Sequence, residues 1–166
     1  MMSLYRALRL KVKIKKIFFD ANIFNDIFDE NRKHHLSSKR SLQYALENDI
    51  EVCTSCDIVT TIYYITSKYT SSQKALEALD TLKELVEIIP FAYKELSATI
   101  ALMSEDKSYK DMEDTIQYIL ALQEGCDVII TNDKKFHAKE IKLFSSDTFM
   151  DKIVTSVKSE KHVRPL

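Results

Sequence analysis

One glycine, Gly125, and two prolines, Pro90 and Pro165, stand in 166 residues. Glycine supplies the positive-φ turns of tight hairpins and the bare backbone that cradles phosphates, so a chain this poor in it has few options. A nucleotide loop of the Walker or dinucleotide type cannot be written with a single glycine. An all-β sandwich with its many tight turns is equally disfavoured. What remains is a helix-rich chain with short connections. The length fits one domain with room for a substantial core.

Hydrophobic periodicity then alternates. "KIFF" reads as a buried strand, and residues 22–30 as a short helix with Ile23, Phe24, Ile27 and Phe28 on one face. "SSKRSLQYALEND" opens on serines that are N-cap candidates, and "IEVCTS" is a second strand. "CDIVTTIYYITSKY" is too long for a strand and apolar at helical spacing; "SSQKALEALDTLKEL" follows as another helix behind a serine pair. "EIIP" reads as a third strand and residues 91–105 as a further helix. "DMEDTIQYILALQEG" is bounded at both ends, with Asp111 as cap and Gly125 at the left-handed position past its end. "DVIIT" and "IKLFSS" supply two more strands before "DTFMDKI". Apolar strands separated by helices imply an α/β fold with a parallel sheet covered on both faces. The organisation expected is a basic N-terminal extension over 1–13, one domain over 14–156 and a tail over 157–166.

Parallel sheets place ligands at the carboxyl ends of their strands. Asp20 ends the first strand, Asp133 follows "DVIIT", and Asp114 lies in the first turn of the helix feeding that strand, with Asp111 one turn earlier. Taken singly, each is as readily a turn residue or a dipole-favoured acid. Together they bring carboxylates from distant segments to one edge. Such a cluster repels itself unless a hard cation such as Mg²⁺ or Mn²⁺ joins it. Bound there, one or two ions activate water and steady a leaving phosphodiester oxygen.

These residues resemble the PIN-domain family of metal-dependent ribonucleases, which includes VapC-type toxins. "FFDANIF" is similar to the family's opening strand and D-x-N motif, which carries over onto Asp20 and Asn22. "DMEDTIQYILALQEGCDVIITNDKKF" is similar to its C-terminal block, which carries over onto Asp114, Thr131 and Asp133. The resemblance implies a three-layer α/β/α sandwich around four or five parallel strands, with a Mg²⁺ or Mn²⁺ centre held by Asp20, Asp114 and Asp133. Asn22 and Thr131 would support it. It also implies cleavage of single-stranded RNA, a small antitoxin partner in toxin members, and frequent homodimers. One departure stands out. Where the family has a helix glutamate, this chain reads "TTIYYI", with Thr61 (or Thr60 in a shifted register) at that place. Asp57, four residues earlier on the same helix face, is the replacement considered, against a plain capping role.

Net charge is −1, so a polyanion would have to be met by ions or local lysines. Lys134 and Lys135, directly after Asp133, are the RNA-binding candidates, with Lys11, Lys13, Lys15, Lys16 and "NRKHH" as extensions. His34 and His35 are weaker candidates for a general base, and Tyr63 and Tyr64 read as packing rather than base-stacking residues. Cys53, Cys56 and Cys126 lack the partners for a zinc site and read as small buried groups in a reducing, cytoplasmic setting. No apolar run is long enough for a membrane helix. The leading function is thus a metal-dependent endoribonuclease. The alternative is a catalytically weakened module that binds RNA or protein, resting on Thr61. A receiver-like signalling domain with Asp20 as phospho-acceptor shares the acid at the strand end but lacks the paired acids after an earlier strand.

Overall fold

The computed structural model describes residues 14–152; the extension over 1–13 and the tail over 157–166 lie outside the described residues. Five strands are described: β1 (Lys16–Phe19), β2 (Glu51–Ser55), β3 (Glu87–Ile89), β4 (Val128–Ile130) and β5 (Lys142–Phe144). Helices connect them: α1 (Ala21–Phe28), α2 (His35–Glu47), α3 (Ile58–Tyr69), α4 (Ser72–Leu85), α5 (Tyr93–Glu105) and α6 (Met112–Gln123). Residues 146–152 are helical as well.

All pairings are parallel, and the strand order is β3-β2-β1-β4-β5. The chain winds outward from β1 through β2 to β3, then crosses back to lay β4 on the other side of β1. The reversal makes the gap between β1 and β4 the topological switch point, where a parallel sheet opens a crevice at its carboxyl end. A receiver-like order, with β1 between the second and third strands, is excluded.

Alternation along β1 divides the core. Ile17 and Phe19 join Phe24, Ile58, Ile62 and Leu82 beneath α1, α3 and α4. Phe18 faces the other way, in register with Cys53 and Ile129, and joins Ile116, Ile119 and Leu120 of α6. Burial on both faces explains the continuous apolar runs Ile17–Phe19 in β1 and Val128–Ile130 in β4. The result is the expected three-layer α/β/α sandwich with five strands. At the amino edge, Lys16 Nζ reaches Glu87 at 2.8 Å and Glu124 at 2.9 Å, tying three segments together.

Local signals hold in most places. Gly125 takes φ +64° after α6, Asp111 Oδ1 accepts from the Asp114 amide at 3.1 Å, and Ser71 caps α4. The expected serine caps of α2 do not form. The helix begins at His35, behind His34, so Ser37 and Ser38, the serines that open the segment, lie inside it, with Ser38 and also Ser41 buried. Ser38 is drawn to Asp26 and Ser41 to the carbonyls of Ser37 and Ser146, so their hydroxyls serve a polar core junction. Of the thiols, Cys53 and Cys126 are buried with sulfurs 3.4 Å apart, but Cys56 is exposed where the chain leaves β2.

Candidate metal centre at the carboxyl edge

Asp20 follows β1 at the switch point and is 4% exposed. Its amide donates to Ile130 O at 3.1 Å, which stitches the strand end to β4. Thr131 Oγ1 donates to Asp20 Oδ2 at 2.7 Å, and Asn22 Nδ2 donates to the same oxygen. Asn22 Nδ2 also reaches Thr131 Oγ1 at 3.1 Å, and Asn22 Oδ1 accepts from the Asn132 amide at 2.9 Å. Asp133 N donates to Thr131 Oγ1 at 3.0 Å. The D-x-N and T-x-D motifs therefore form one closed network holding Asp20 in place. Burial pushes the Asp20 carboxyl above the usual range, against the Thr131 hydrogen bond, and the Asp133 charge adds to the rise.

Asp114, in the first turn of α6, is half-buried at the same edge. Its carboxyl is pushed up to about 7, first by burial and then by the charges of Asp20, Asp111, Asp133 and Glu113. Asp111 and Asp133 are exposed beside it. Asp133 Oδ1 also accepts from the Lys135 amide at 2.8 Å, which fixes its turn.

The fold and this edge can be set beside known proteins. A family model described as "PIN domain" matches residues 16–135. The chain belongs to the PIN-domain family. It is 41% identical over 138 residues to "Ribonuclease VapC1" of Aquifex aeolicus (strain VF5), spanning 83% of this chain and 95% of that one. Two solved structures share the fold at lower identity. VapC20 of Mycobacterium tuberculosis, titled a sarcin–ricin loop cleaving toxin, matches with TM-score 0.60 and 16% identity, over 72% of this chain and 92% of its own. VapBC2 of Rickettsia felis, bound to a promoter DNA fragment, matches with TM-score 0.62 and 18% identity, over 78% and 98%.

In this PIN domain the three principal acids expected from the sequence do converge, and Asn22 and Thr131 stand among them. The donor set fits a hard divalent cation. It consists of carboxylate oxygens that raise one another's proton affinity, with no Lys or Arg salt bridge to Asp20, Asp114 or Asp133 among the described residues. Among the described residues no three Asp, Glu, His or Cys side chains are already gathered around a common point. The acids face one another without closing.

Asp57 stands at the head of α3 without a capping hydrogen bond, its Oδ1 accepting from Ser55 Oγ. Burial raises its carboxyl. Thr61, not Thr60, is the α3 residue near the acids, beside Glu113, whereas exposed Thr60 turns back to Asp57 O.

Lys134 and Lys135 diverge on either side of Asp133. Lys135 lines a groove of about 460 Å³ with Lys110, Asp111, Asp114 and His137. Lys134 lines a second, of about 500 Å³, with Lys33, His34, Thr131 and Phe144. Asp133 belongs to both. His34 pairs with Asp147 at 3.0 Å and His35 Nδ1 meets Asp26 O at 2.9 Å, so each is engaged away from the acids. Tyr64 is 62% exposed on α3 and is not a core residue.

Four residues escaped the sequence reading. Asp26, 3% exposed, accepts from Arg32 Nε at 2.6 Å and Asn132 Nδ2 at 2.7 Å, bracing the motif from behind. Asn132 Oδ1 in turn accepts from the Ser146 amide at 3.0 Å. Gln117 is wholly buried one turn along α6 from Asp114, and a lone amide inside "TIQYIL" was its signal. Glu113 was masked by its neighbours Asp111 and Asp114.

Proposed function

We propose that this PIN domain is a divalent-metal-dependent endoribonuclease that hydrolyses phosphodiesters of single-stranded RNA, as the toxin of a toxin–antitoxin pair. Membership of the family and the extensive identity to a relative named as a ribonuclease support the activity. The observation that carries the reading is the meeting of Asp20, Asp114 and Asp133 at the switch point between β1 and β4. Asp20, Asp114 and Asp133 would hold Mg²⁺ or Mn²⁺. When bound, the ion supplies positive charge that neutralises these carboxylates, polarises the phosphoryl group and lowers the pKa of attacking water.

The chain's own groups do the rest. Thr131 and Asn22 fix the Asp20 oxygen, so the acid keeps its aim when charge arrives. Lys135 and Lys110 in one groove, and Lys134 and Lys33 in the other, meet the backbone on either side of the scissile phosphate. The RNA then runs from one groove to the other across Asp133. Asp114 retains its proton to about neutral pH, so charge neutralisation there releases a proton.

A small antitoxin and a second copy of the chain belong to this reading; toxin–antitoxin complexes among the similar folds support them. The reading also places the chain in the cytoplasm; no helix among the described residues is long and apolar enough to cross a membrane. The weakened-module alternative rested on Thr61, and the named ribonuclease relative favours the enzyme. The test is cleavage of mixed single-stranded RNAs with Mg²⁺ or Mn²⁺, comparing wild type with Asp20→Asn. Metal-dependent cleavage lost in the variant is expected. Cleavage that survives both excess chelator and Asp20→Asn would sink the reading.

A further inference from the structure

Two loops meet beside the acids. One, residues 106–111, leads into α6; the other, residues 131–141, follows β4. Lys139 Nζ pairs with Asp106 Oδ2, and the Ser108 hydroxyl lies 3.0 Å from His137 Nε2, so the loops are fastened at two points. At the second point the His137 ring stands edge-on to Tyr109, with centroids 4.7 Å apart, and buried Tyr109 stacks in turn on Tyr118. His137 is thereby held from two sides. It lines the groove that contains Asp114, Asp133, Lys110 and Lys135.

These contacts decide which ring nitrogen carries the hydrogen. A hydroxyl has one hydrogen to give. That of Ser108 goes to Asp106 Oδ1 at 2.6 Å, and this carboxylate, ion-paired with Lys139, only accepts. Ser108 Oγ must then accept from His137, which puts the hydrogen on Nε2. In the neutral ring Nδ1 is left with a lone pair, and it has no hydrogen-bond partner among the described residues. The groove therefore offers two ammonium groups and one neutral acceptor. The lysines suit phosphates, which RNA and DNA share. The acceptor suits a donor, and the donor that every ribonucleotide carries, whatever its base, is the 2′-hydroxyl.

We propose that His137 reads the sugar: its Nδ1 accepts a hydrogen bond from the 2′-hydroxyl of a ribonucleotide lying in this groove, and Ser108, oriented by Asp106, fixes the tautomer. The inference rests on the part of the ribonuclease reading that puts RNA in this groove, and it names the group by which the site prefers RNA to DNA. The contact needs no metal ion, so it can be measured with cleavage switched off.

The test is fluorescence anisotropy of the full chain at pH 8 in chelator, with labelled random-sequence single-stranded RNA and single-stranded DNA of equal length. Wild type should bind the RNA more tightly. His137→Ala, and His137→Phe, which keeps a ring against Tyr109, should lower RNA affinity by about threefold to tenfold, the worth of one hydrogen bond, and leave DNA affinity unchanged. Ser108→Ala should shift the same ratio by less. Circular dichroism confirms that each variant is folded. Equal losses on RNA and DNA would put His137 on a phosphate or a base edge and overturn the proposal. So would equal wild-type affinities for the two pools, wild-type binding of neither, or an unchanged preference in folded His137→Phe. The cleavage assay above decides the ribonuclease reading separately. Metal-dependent cleavage that fails while the RNA preference and its loss in His137→Phe both hold would remove that reading and leave the sugar contact standing.

Discussion

Replacing Asp114 by asparagine should stabilise the protein in the absence of divalent ions, while destroying its function. The Asp114 carboxyl is pushed up to about 7 from an ordinary 3.8, by burial first and by Asp20, Asp111, Asp133 and Glu113 next. Between those two values the folded chain holds a proton that the unfolded chain has released, so stability falls as pH rises through this window. At roughly 1.4 kcal/mol per pH unit the gap amounts to about 4 kcal/mol, and screening at this half-exposed site reduces it to about 2 kcal/mol. For a chain of this length, that is a rise in Tm of about 4–8 °C for Asp114→Asn at pH 8. At pH 5 wild-type Asp114 is still protonated when folded, and less than half of the advantage should remain. Thermal melts in chelator at the two pH values measure this directly. Added Mn²⁺ should then reverse the order, raising the wild-type Tm and leaving the variant nearly unmoved. An Asp114→Asn protein that melts at or below wild type at pH 8 in chelator would refute the claim that these acids repel one another.

Three further outcomes follow from the surroundings of the site. Asp26→Ala leaves half-buried Arg32 and Asn132 without their carboxylate partner, and should cost about 1–2 kcal/mol in denaturant unfolding. Thr131→Val removes the donor to Asp20 Oδ2 and the acceptor for Asp133 N; cleavage should fall by on the order of tenfold or more while the melt changes little. In a thiol-reagent titration of the native protein, exposed Cys56 should react rapidly, and Cys53 and Cys126 only on unfolding.

The sequence carried most of the architecture because the central strands are apolar on both faces: "KIFF" and "DVIIT" read as strands, and the acids after them mark the carboxyl edge. The helix holding Asp114 was bounded by Asp111 and Gly125, whose capping depends only on near neighbours. The cap of α2 was misread since Ser37 and Ser38 engage Ser146 and Asp26, partners outside the helix. Glu113 stayed hidden as well, since a first-turn acid is accounted for by the helix dipole alone. Lys134 and Lys135 looked like one basic patch. The turn closed by Lys135 N on Asp133 Oδ1 separates them into two grooves.

The strand order has a bearing on the birth of the protein. β1 is made first but gains its neighbour β4 only after β2, β3 and six helices have been synthesised, and Asp133 comes later still. An incomplete chain on the ribosome therefore carries Asp20 with no partner across the crevice and cannot assemble the centre. On the proposed function, the ability to cut RNA arrives only near the end of translation, once Asp133 can meet Asp20.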